Sequence, residues 1–183
     1  MGTKEEKAEA RAQIRGFRIC ESESAEASMA IRDTLTELAC WESADTVLLF
    51  APLPDDPNTL VLPWEGKRFG FPRYNVDRGY EAAEVVEADE LVPGKFGVLE
   101  PPPKALHIPP EEVDLVLVPG MAFDEECYRL GRGRGFYDRW LLALPGLKLG
   151  LGFDHQLIRH VPREPHDVQL QGVVIPSGSI WPL

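Results

Sequence analysis

Residues 113–139 join an apolar run to a basic, glycine-rich segment, and this combination restricts the local fold more than any other part of the chain. The apolar run 115–118 ends at Pro119 and Gly120, and glycines then stand at positions 131, 133 and 135. Arginines occupy positions 129, 132, 134 and 139. Glycine loses more conformational entropy on folding than any other residue. Alternating glycines therefore indicate a loop that needs backbone conformations open mainly to glycine. We interpret the stretch as a buried strand, a loop that surrounds a polyanion, and a helix.

The basic segment lies within an acidic chain. The 183 residues include 19 Lys and Arg against 30 Asp and Glu, which gives a formal net charge of −11. This balance argues against a nucleic-acid partner, because a nucleic-acid surface normally carries a broad basic face. It is compatible with a small anionic ligand held in a local basic pocket.

Length and composition indicate a globular protein with one domain, residues 1–183. No apolar run approaches the roughly 18 residues needed to span a bilayer, and the first residues lack the apolar core of a signal peptide. Cys20, Cys40 and Cys127 are widely spaced, which favours neither a disulfide framework nor a zinc site. We therefore expect a cytoplasmic protein without a membrane partner.

Two helices are predicted in the first forty residues. The first, over 4–19, places several cations on one face at three- and four-residue intervals. That face is either a solvated surface or a surface directed at phosphate. The second, over 25–40, has apolar residues at the spacing of a helix that packs on a core. The cations of the first helix are Lys4, Lys7, Arg11, Arg15 and Arg18.

The rest of the chain alternates apolar strands with helices and loops. A third helix is predicted over 136–144, and residues 93–103 are predicted to form a loop. Helices interleaved with apolar strands predict an α/β sheet layered by helices. Strands are predicted over 45–51, 67–73 (closed by Pro72), 80–88 (an edge strand), 113–118, 147–153 and 168–175.

The glycine loop matches neither standard nucleotide fingerprint. A Gly-x-Gly-x-x-Gly pattern that starts at Gly131 would need glycine at the position of Phe136, and no Gly-Lys-Ser/Thr sequence occurs. Backbone N–H groups before a helix can still bind an anion, and Arg132 and Arg134 can add charged hydrogen bonds. The alternative is a structural loop whose arginines pair with Asp124, Glu125 and Glu126.

Three further polar residues are candidates for the site. Asp138 lies in the first turn of the predicted helix, where it either complements the helix dipole or holds Mg²⁺ beside bound phosphates. Asp154 and Gln156 follow a predicted strand and could face the same site. Tyr137 and Trp140 are more typical of a core than of a ligand platform.

Several segments together resemble the 5-formyltetrahydrofolate cyclo-ligase family, whose members are also called 5,10-methenyltetrahydrofolate synthetases. The most specific segment is Arg129-Leu-Gly-Arg-Gly-Arg-Gly-Phe-Tyr-Asp-Arg139, preceded by Val118-Pro-Gly-Met-Ala-Phe-Asp124. The likeness covers nearly the whole chain. The other matching segments are Lys7-x-x-x-Arg11, Gly66-Lys67 with Phe71-Pro-Arg73, Gly97-Val-Leu-Glu100-Pro101, Gly152-Phe-Asp-His-Gln156 and His166-Asp167.

The resemblance implies a Rossmann-like, three-layer α/β/α fold with a mostly parallel sheet. It also implies the ATP- and Mg²⁺-dependent cyclisation of 5-formyltetrahydrofolate to 5,10-methenyltetrahydrofolate, with release of ADP and phosphate through a phosphorylated formyl intermediate. Asp138 would hold Mg²⁺. The ATP site would comprise Lys7, Arg11, Arg129, Leu130, Gly131, Arg132, Gly133, Arg134, Gly135, Phe136 and Tyr137, and the folate site Asp56, Arg132, Gly133, Arg134, Gly135 and Phe136.

The chain departs from the family pattern on the folate side. Asp56 stands where the family usually has glutamate, and the short segment after Thr59, which contains Pro63, is predicted to lack a helix. Two other functions therefore remain open, a nucleotide-binding protein without turnover and an ATP-dependent enzyme for another formylated or amide substrate. Arg15 is an alternative to Arg11 at the ATP site. We expect a monomer.

Overall fold

The computed structural model describes residues 3–17, 19–77, 79–133 and 135–182. The four α-helices are α1 (Thr3–Arg15), α2 (Glu21–Thr36), α3 (Ala39–Ser43) and α4 (Phe136–Ala143). The strands are β1 (Thr46–Leu48), β2 (Arg68–Asn75), β3 (Gly79–Glu84), β4 (Val92–Pro93), β5 (Leu99–Glu100), β6 (His107–Ile108), β7 (Leu115–Pro119), β8 (Ala122–Phe123), β9 (Arg129–Leu130), β10 (Leu147–Leu151), β11 (Gly172–Ile175) and β12 (Gly178–Ile180).

Eight strands form one central sheet in the order β12-β11-β10-β7-β1-β2-β3-β6. The five strands from β11 to β2 are parallel to one another. β12 at one side and β3 with β6 at the other are antiparallel. The remaining strands form two small pairs, β4 with β5 and β8 with β9. The prediction of a mostly parallel sheet is confirmed.

The residues of β7 show why the sheet has helices on both faces. Leu115 and Leu117 pack in one buried cluster with residues of α2 and α3, whereas Val116 and Val118 pack in another with residues of α4. Successive side chains of a strand point to opposite faces, so an uninterrupted apolar strand needs a cover on each side. The three-layer prediction is therefore confirmed.

Several predicted boundaries were wrong. α1 ends at Arg15 and not at 19, and the second predicted helix is divided into α2 and α3. The predicted loop over 93–103 contains one strand and the end of another, β5 and β4. β12 was not predicted. As expected, the segment after Thr59 has only a three-residue 3-10 turn.

β2 and β3 also differ from the prediction. β2 continues through Pro72 to Asn75, although Pro72 was expected to end it. β1 pairs with β2 only over Arg68–Gly70, so the missing N–H of Pro72 costs no hydrogen bond to that neighbour. β3 is not a free edge throughout, because β6 pairs with it at Ala82 and Ala83.

The chain reverses its direction across the sheet at β1. From β1 it enters β2 on one side, and it later returns to β7 on the other side. In open α/β sheets, such a reversal leaves a crevice at the carboxyl ends of the strands, where ligands bind. No helix in the described part of the chain combines the length and the apolar character that a membrane span requires.

Candidate active site

A cleft of about 360 Å³ lies at the carboxyl ends of β1 and β7. Its walls are contributed by the segment after β1, by the β4–β5 region, and by the glycine loop with the first turn of α4. The cleft is lined by both apolar and charged side chains. The lining residues are Phe50, Ala51, Leu53, Asp56, Pro72, Tyr80, Val98, Leu99, Glu100, Pro119, Arg129, Gly131, Arg132, Gly135, Tyr137 and Asp138.

A larger cavity of about 530 Å³ lies between β3 and α4, and Tyr80 belongs to both walls. This cavity is lined mainly by apolar and aromatic side chains, and none of the described residues of 129–133 or Gly135 lines it. We assign the candidate active site to the smaller cleft, because phosphate recognition needs the loop amides and arginines found there.

The glycine loop is carried by the β8–β9 hairpin and leads directly into α4. Gly133 and Gly135 have φ values of 96° and 63°, in the left-handed region that side-chain-bearing residues rarely adopt. Gly135 is the residue immediately before α4 and provides no side-chain cap for the helix. The first N–H groups of α4 are therefore available to an anion at the edge of the cleft.

Arg132 forms ion pairs with two carboxylates that follow β1. Its guanidinium donates to both carboxylate oxygens of Asp55 at 2.9 Å and to Asp56 at 2.6 Å. The alternative pairing predicted from the sequence, with Asp124, Glu125 and Glu126, is wrong for Arg132. Asp124 and Glu126 instead bind Arg163, outside the cleft.

Asp56 is held deep in the cleft wall. It is only 5% exposed, and it accepts a hydrogen bond from the backbone N–H of Leu53 at 3.1 Å. Burial raises the pKa of Asp56, and the opposing charge of Arg132 offsets this only in part. The predicted folate-side carboxylate therefore lies in the cleft, coupled to the predicted phosphate-binding arginine.

A second arginine joins the hairpin to α4. Arg129 donates to Asp138 at 2.6 Å, and its guanidinium lies 5.4 Å from the centre of the Tyr137 ring. Within the described part of the chain, the buried Nε of Arg129 has no hydrogen-bond partner. Tyr137 lines the cleft, and burial raises the pKa of its hydroxyl, so it is neutral at physiological pH. Arg129 thus has an unused buried donor beside the carboxylate of Asp138.

α1 places two of its cations against this region. Arg11 donates from Nε to the carbonyl of Gly131 at 2.8 Å. Lys7 is buried and donates to Glu164 at 3.0 Å and to Asp167 at 2.6 Å. Arg15 is exposed. Of the two arginines that the sequence proposed for the ATP site, Arg11 has a described hydrogen bond to the loop.

The Lys7–Asp167 pair should stabilise the docked position of α1 in a pH-dependent manner. Burial would raise the pKa of Asp167, but the hydrogen bonds from Lys7 and from the Glu164 N–H outweigh it and lower that pKa. A lowered carboxyl pKa contributes stability above its unfolded value of about 4, and this stability is lost as pH falls through the folded value.

We expect Asp167→Asn to lower the free energy of unfolding by about 1–2 kcal/mol at pH 7, a value that allows for partial exposure. The difference from the unsubstituted protein should shrink as the pH falls below about 4 and through the lowered folded pKa of Asp167. Urea unfolding at a series of pH values measures this difference in the free energy of unfolding. Asp33→Asn, at an exposed carboxylate paired with Arg32, is the control and should change little. A difference that does not depend on pH would contradict the assignment.

The predicted site residues thus divide into three groups. Asp56, Arg129, Gly131, Arg132, Gly135, Tyr137 and Asp138 line one cleft. Leu130, Gly133 and Arg11 lie in or against the loop without lining the cleft, and Lys7, also outside the lining, binds Glu164 and Asp167. Arg134 lies outside the described residues, and Phe136 is described only as the first residue of α4.

The cleft also contains residues that the sequence did not mark as functional. Tyr80, Val98, Leu99 and Glu100 enter its wall from segments far from the glycine loop. The Gly97-x-x-Glu100-Pro101 match was the one signal that pointed to this wall. Glu164 and Asp167 were missed as partners of Lys7, although His166-Asp167 was itself a matching segment.

Asp154 and Gln156 support the site without lining the cleft. Gln156 is buried, and its amide donates to the carbonyl of Gly120 at 3.1 Å and to that of Asp55 at 3.5 Å. Asp154 accepts hydrogen bonds from Ser177. The expectation that both side chains face the site is therefore wrong, but Gln156 ties the segment after β7 to the segment after β1.

The described residues fit Mg²⁺ only in combination with phosphate. They contain no group of three or more His, Cys, Asp or Glu side chains that could hold a metal. Mg²⁺ is commonly bound by one or two carboxylates together with phosphate oxygens. Asp138, with one oxygen bonded to Arg129 and a place in the cleft wall, fits that role.

Comparison with known proteins relates this geometry to a family. A model of the 5-formyltetrahydrofolate cyclo-ligase family matches residues 3–176. A probable 5-formyltetrahydrofolate cyclo-ligase of Schizosaccharomyces pombe is 31% identical over 174 residues, which cover 84% of this chain and 85% of the relative. A 5-formyltetrahydrofolate cyclo-ligase of Mycolicibacterium smegmatis is 43% identical over 95 residues, but that match spans only about half of each chain (49% and 48%).

A solved structure shows the same architecture over nearly the whole chain. The 5,10-methenyltetrahydrofolate synthetase of Aquifex aeolicus superimposes with a TM-score of 0.84 at 28% sequence identity, over 96% of this chain and 92% of the other. The sheet, the glycine loop and α1 therefore belong to a fold that this synthetase shares.

Proposed function

The chain belongs to the 5-formyltetrahydrofolate cyclo-ligase family, and on this basis we propose that it uses Mg²⁺ and ATP to convert 5-formyltetrahydrofolate to 5,10-methenyltetrahydrofolate. ADP and phosphate would be the other products. The observation that carries the proposal is the pairing of Arg132 with Asp55 and Asp56 in the cleft. This pairing supports the proposal because it joins Arg132, from the loop proposed to bind phosphate, to Asp56, the carboxylate proposed to bind folate, through one hydrogen bond.

The reaction forms two bonds between heavy atoms and breaks two, and nitrogen 10 also releases a proton. The formyl oxygen attacks the γ-phosphorus of ATP, and the bond from that phosphorus to the ADP oxygen breaks. Nitrogen 10 then attacks the formyl carbon and loses its proton, and the carbon–oxygen bond breaks to release phosphate. Phosphoryl transfer of this kind depends mainly on positioning and charge neutralisation, which the protein can supply without a covalent step.

The charged residues can be assigned to parts of this reaction. Lys7 and Arg11 on α1, with Arg129 and the first N–H groups of α4, would hold the phosphates of the nucleotide. Arg132 would bind the transferred phosphoryl group, exchanging part of its pairing with Asp55 and Asp56 for phosphate oxygens. When bound, Mg²⁺ would neutralise phosphate charge beside Asp138.

The apolar part of the cleft would hold the reduced pterin ring. Phe50, Val98 and Leu99 offer flat or branched apolar surface, and Asp56 offers a hydrogen-bond acceptor. Exclusion of water by this wall would protect the phosphorylated intermediate from hydrolysis.

We expect the purified protein to produce the near-ultraviolet absorbance of the methenyl product when 5-formyltetrahydrofolate, ATP and Mg²⁺ are supplied together. ADP should appear in equal amount. Omission of ATP, or addition of a chelator, should abolish both signals. Saturable nucleotide binding without either signal would support the alternative of a binding protein, and ADP release with a different formylated or amide compound would support the other alternative.

A further inference from the structure

Glu100 is a carboxylate held in a fixed position in the wall of the cleft. Glu100 is 9% exposed. Its two carboxylate oxygens accept hydrogen bonds from the backbone N–H groups of Lys95 at 3.0 Å and Tyr74 at 3.2 Å. Gly94 packs directly on its side chain, since a Cβ atom at Gly94 would lie 2.4 Å from Cγ and Cδ of Glu100. The hydrogen bonds and this close contact together fix the direction of the carboxylate.

The charge of Glu100 is balanced differently from that of the other carboxylates in the cleft. Asp56 is paired with Arg132, and Asp138 is paired with Arg129. In the part of the chain that the structure describes, Glu100 has no ion-pair partner. The nearby ammonium of Lys95 lies 3.7 Å from the centre of the Tyr74 ring instead.

Such a carboxylate retains a capacity for further hydrogen bonds. An ionised carboxylate has about four acceptor positions, and two backbone N–H groups occupy only two of them. Burial of a charge without a cation is unfavourable unless hydrogen bonds satisfy it. A ligand that fills the cleft removes water from the remaining positions, so it must bring donors of its own.

We propose that Glu100 is a substrate-binding residue that recognises the 2-amino group and the adjacent ring N–H of the reduced pterin. This inference rests on the proposed function. Two neighbouring N–H donors in one plane match a carboxylate as a guanidinium does. Val98, Leu99 and Pro72 lie in the same wall, where they can pack against the faces of a flat ring.

The ligand itself provides a test that needs no substitution. We expect the unsubstituted protein to bind 5-formyltetrahydrofolate at least about 100-fold more tightly than the analogue whose 2-amino group is replaced by a carbonyl oxygen, because that oxygen would face a carboxylate. Calorimetric titration without nucleotide measures both affinities and does not depend on turnover.

Variants then assign the discrimination to this residue. Glu100→Gln should reduce the ratio of the two affinities to less than about tenfold, since an amide can donate to the carbonyl oxygen of the analogue. Glu84→Gln, at a carboxylate paired with Arg68 outside the cleft, should retain it. Nucleotide binding and the thermal midpoint of Glu100→Gln, measured in parallel, separate a loss of recognition from a loss of fold.

The outcomes distinguish this inference from the function on which it rests. If the unsubstituted protein binds both ligands equally, or if Glu100→Gln discriminates as strongly as the unsubstituted protein, Glu100 does not recognise the pterin, while the proposed reaction stands. If neither folate ligand binds and no product forms, the inference and the proposed function are both overturned.

Discussion

Arg132→Ala should lower kcat/KM for ring closure by about 10³-fold, because an arginine that binds a transferring phosphoryl group typically contributes that much or more. The substitution removes the side chain that bonds to both Asp55 and Asp56. Arg132→Lys should recover only part of the loss, since lysine retains the charge but not the planar pair of donors. Steady-state kinetics with both substrates varied measures the effect.

Loss of folding does not account for the expected loss of activity. Asp56 would become a buried carboxylate without its cation, but burial already raises its pKa, so it can take up a proton and limit the destabilisation to about 1–3 kcal/mol. Arg68→Ala is a matched control, because Arg68 also bridges two carboxylates, Glu84 and Glu112, and lies outside the cleft. Turnover of Arg132→Ala within tenfold of the Arg68 variant would exclude Arg132 from phosphoryl transfer.

The second large effect is expected at Asp138. Asp138→Asn should lower turnover by about 100-fold or more and raise the Mg²⁺ concentration needed for half-maximal rate, because an amide oxygen is a weaker ligand than a carboxylate for a hard cation. Asparagine can still accept the hydrogen bond from Arg129, so the first turn of α4 should remain in place.

Titration of activity with Mg²⁺ at saturating ATP checks this expectation. Asp154→Asn changes a carboxylate that is bonded to Ser177 outside the cleft, and its Mg²⁺ dependence should match that of the unsubstituted protein. If Asp138→Asn loses activity without any change in Mg²⁺ dependence, Asp138 acts only through its ion pair with Arg129.

The sequence predicted those parts of the fold whose cause is local. The apolar run of β7 and the amphipathic pattern of α4 appear within a few residues of one another, and both elements were found, each with small boundary differences. The division of the second helix and the continuation of β2 past Pro72 were missed. Each depends on contacts with other elements, which either pair with a strand of the sheet or pack on one of its faces.

The residue types of the site were predictable, but their partners were not. The sequence offered carboxylates near Arg132 in the chain only as an alternative to phosphate, and it gave no sign of the observed partners, Asp55 and Asp56. That pairing exists because β1 and β7 are adjacent and parallel, so the segments after them meet at one edge. Glu100 reaches the same edge through β5, whose two residues give no periodic signal.

The position of α1 has a consequence for the order of folding. Lys7 and Asp167 are separated by 160 positions in sequence, and Arg11 and Gly131 by 120. Contacts between such distant residues form late, because most of the chain must already be ordered to bring them together. During synthesis, α1 leaves the ribosome before Asp167 and cannot form this contact until Asp167 has followed it. A nascent chain can therefore pair β1, β2 and β7 before α1 contacts the glycine loop, and the proposed binding of phosphates would be among the last properties it acquires.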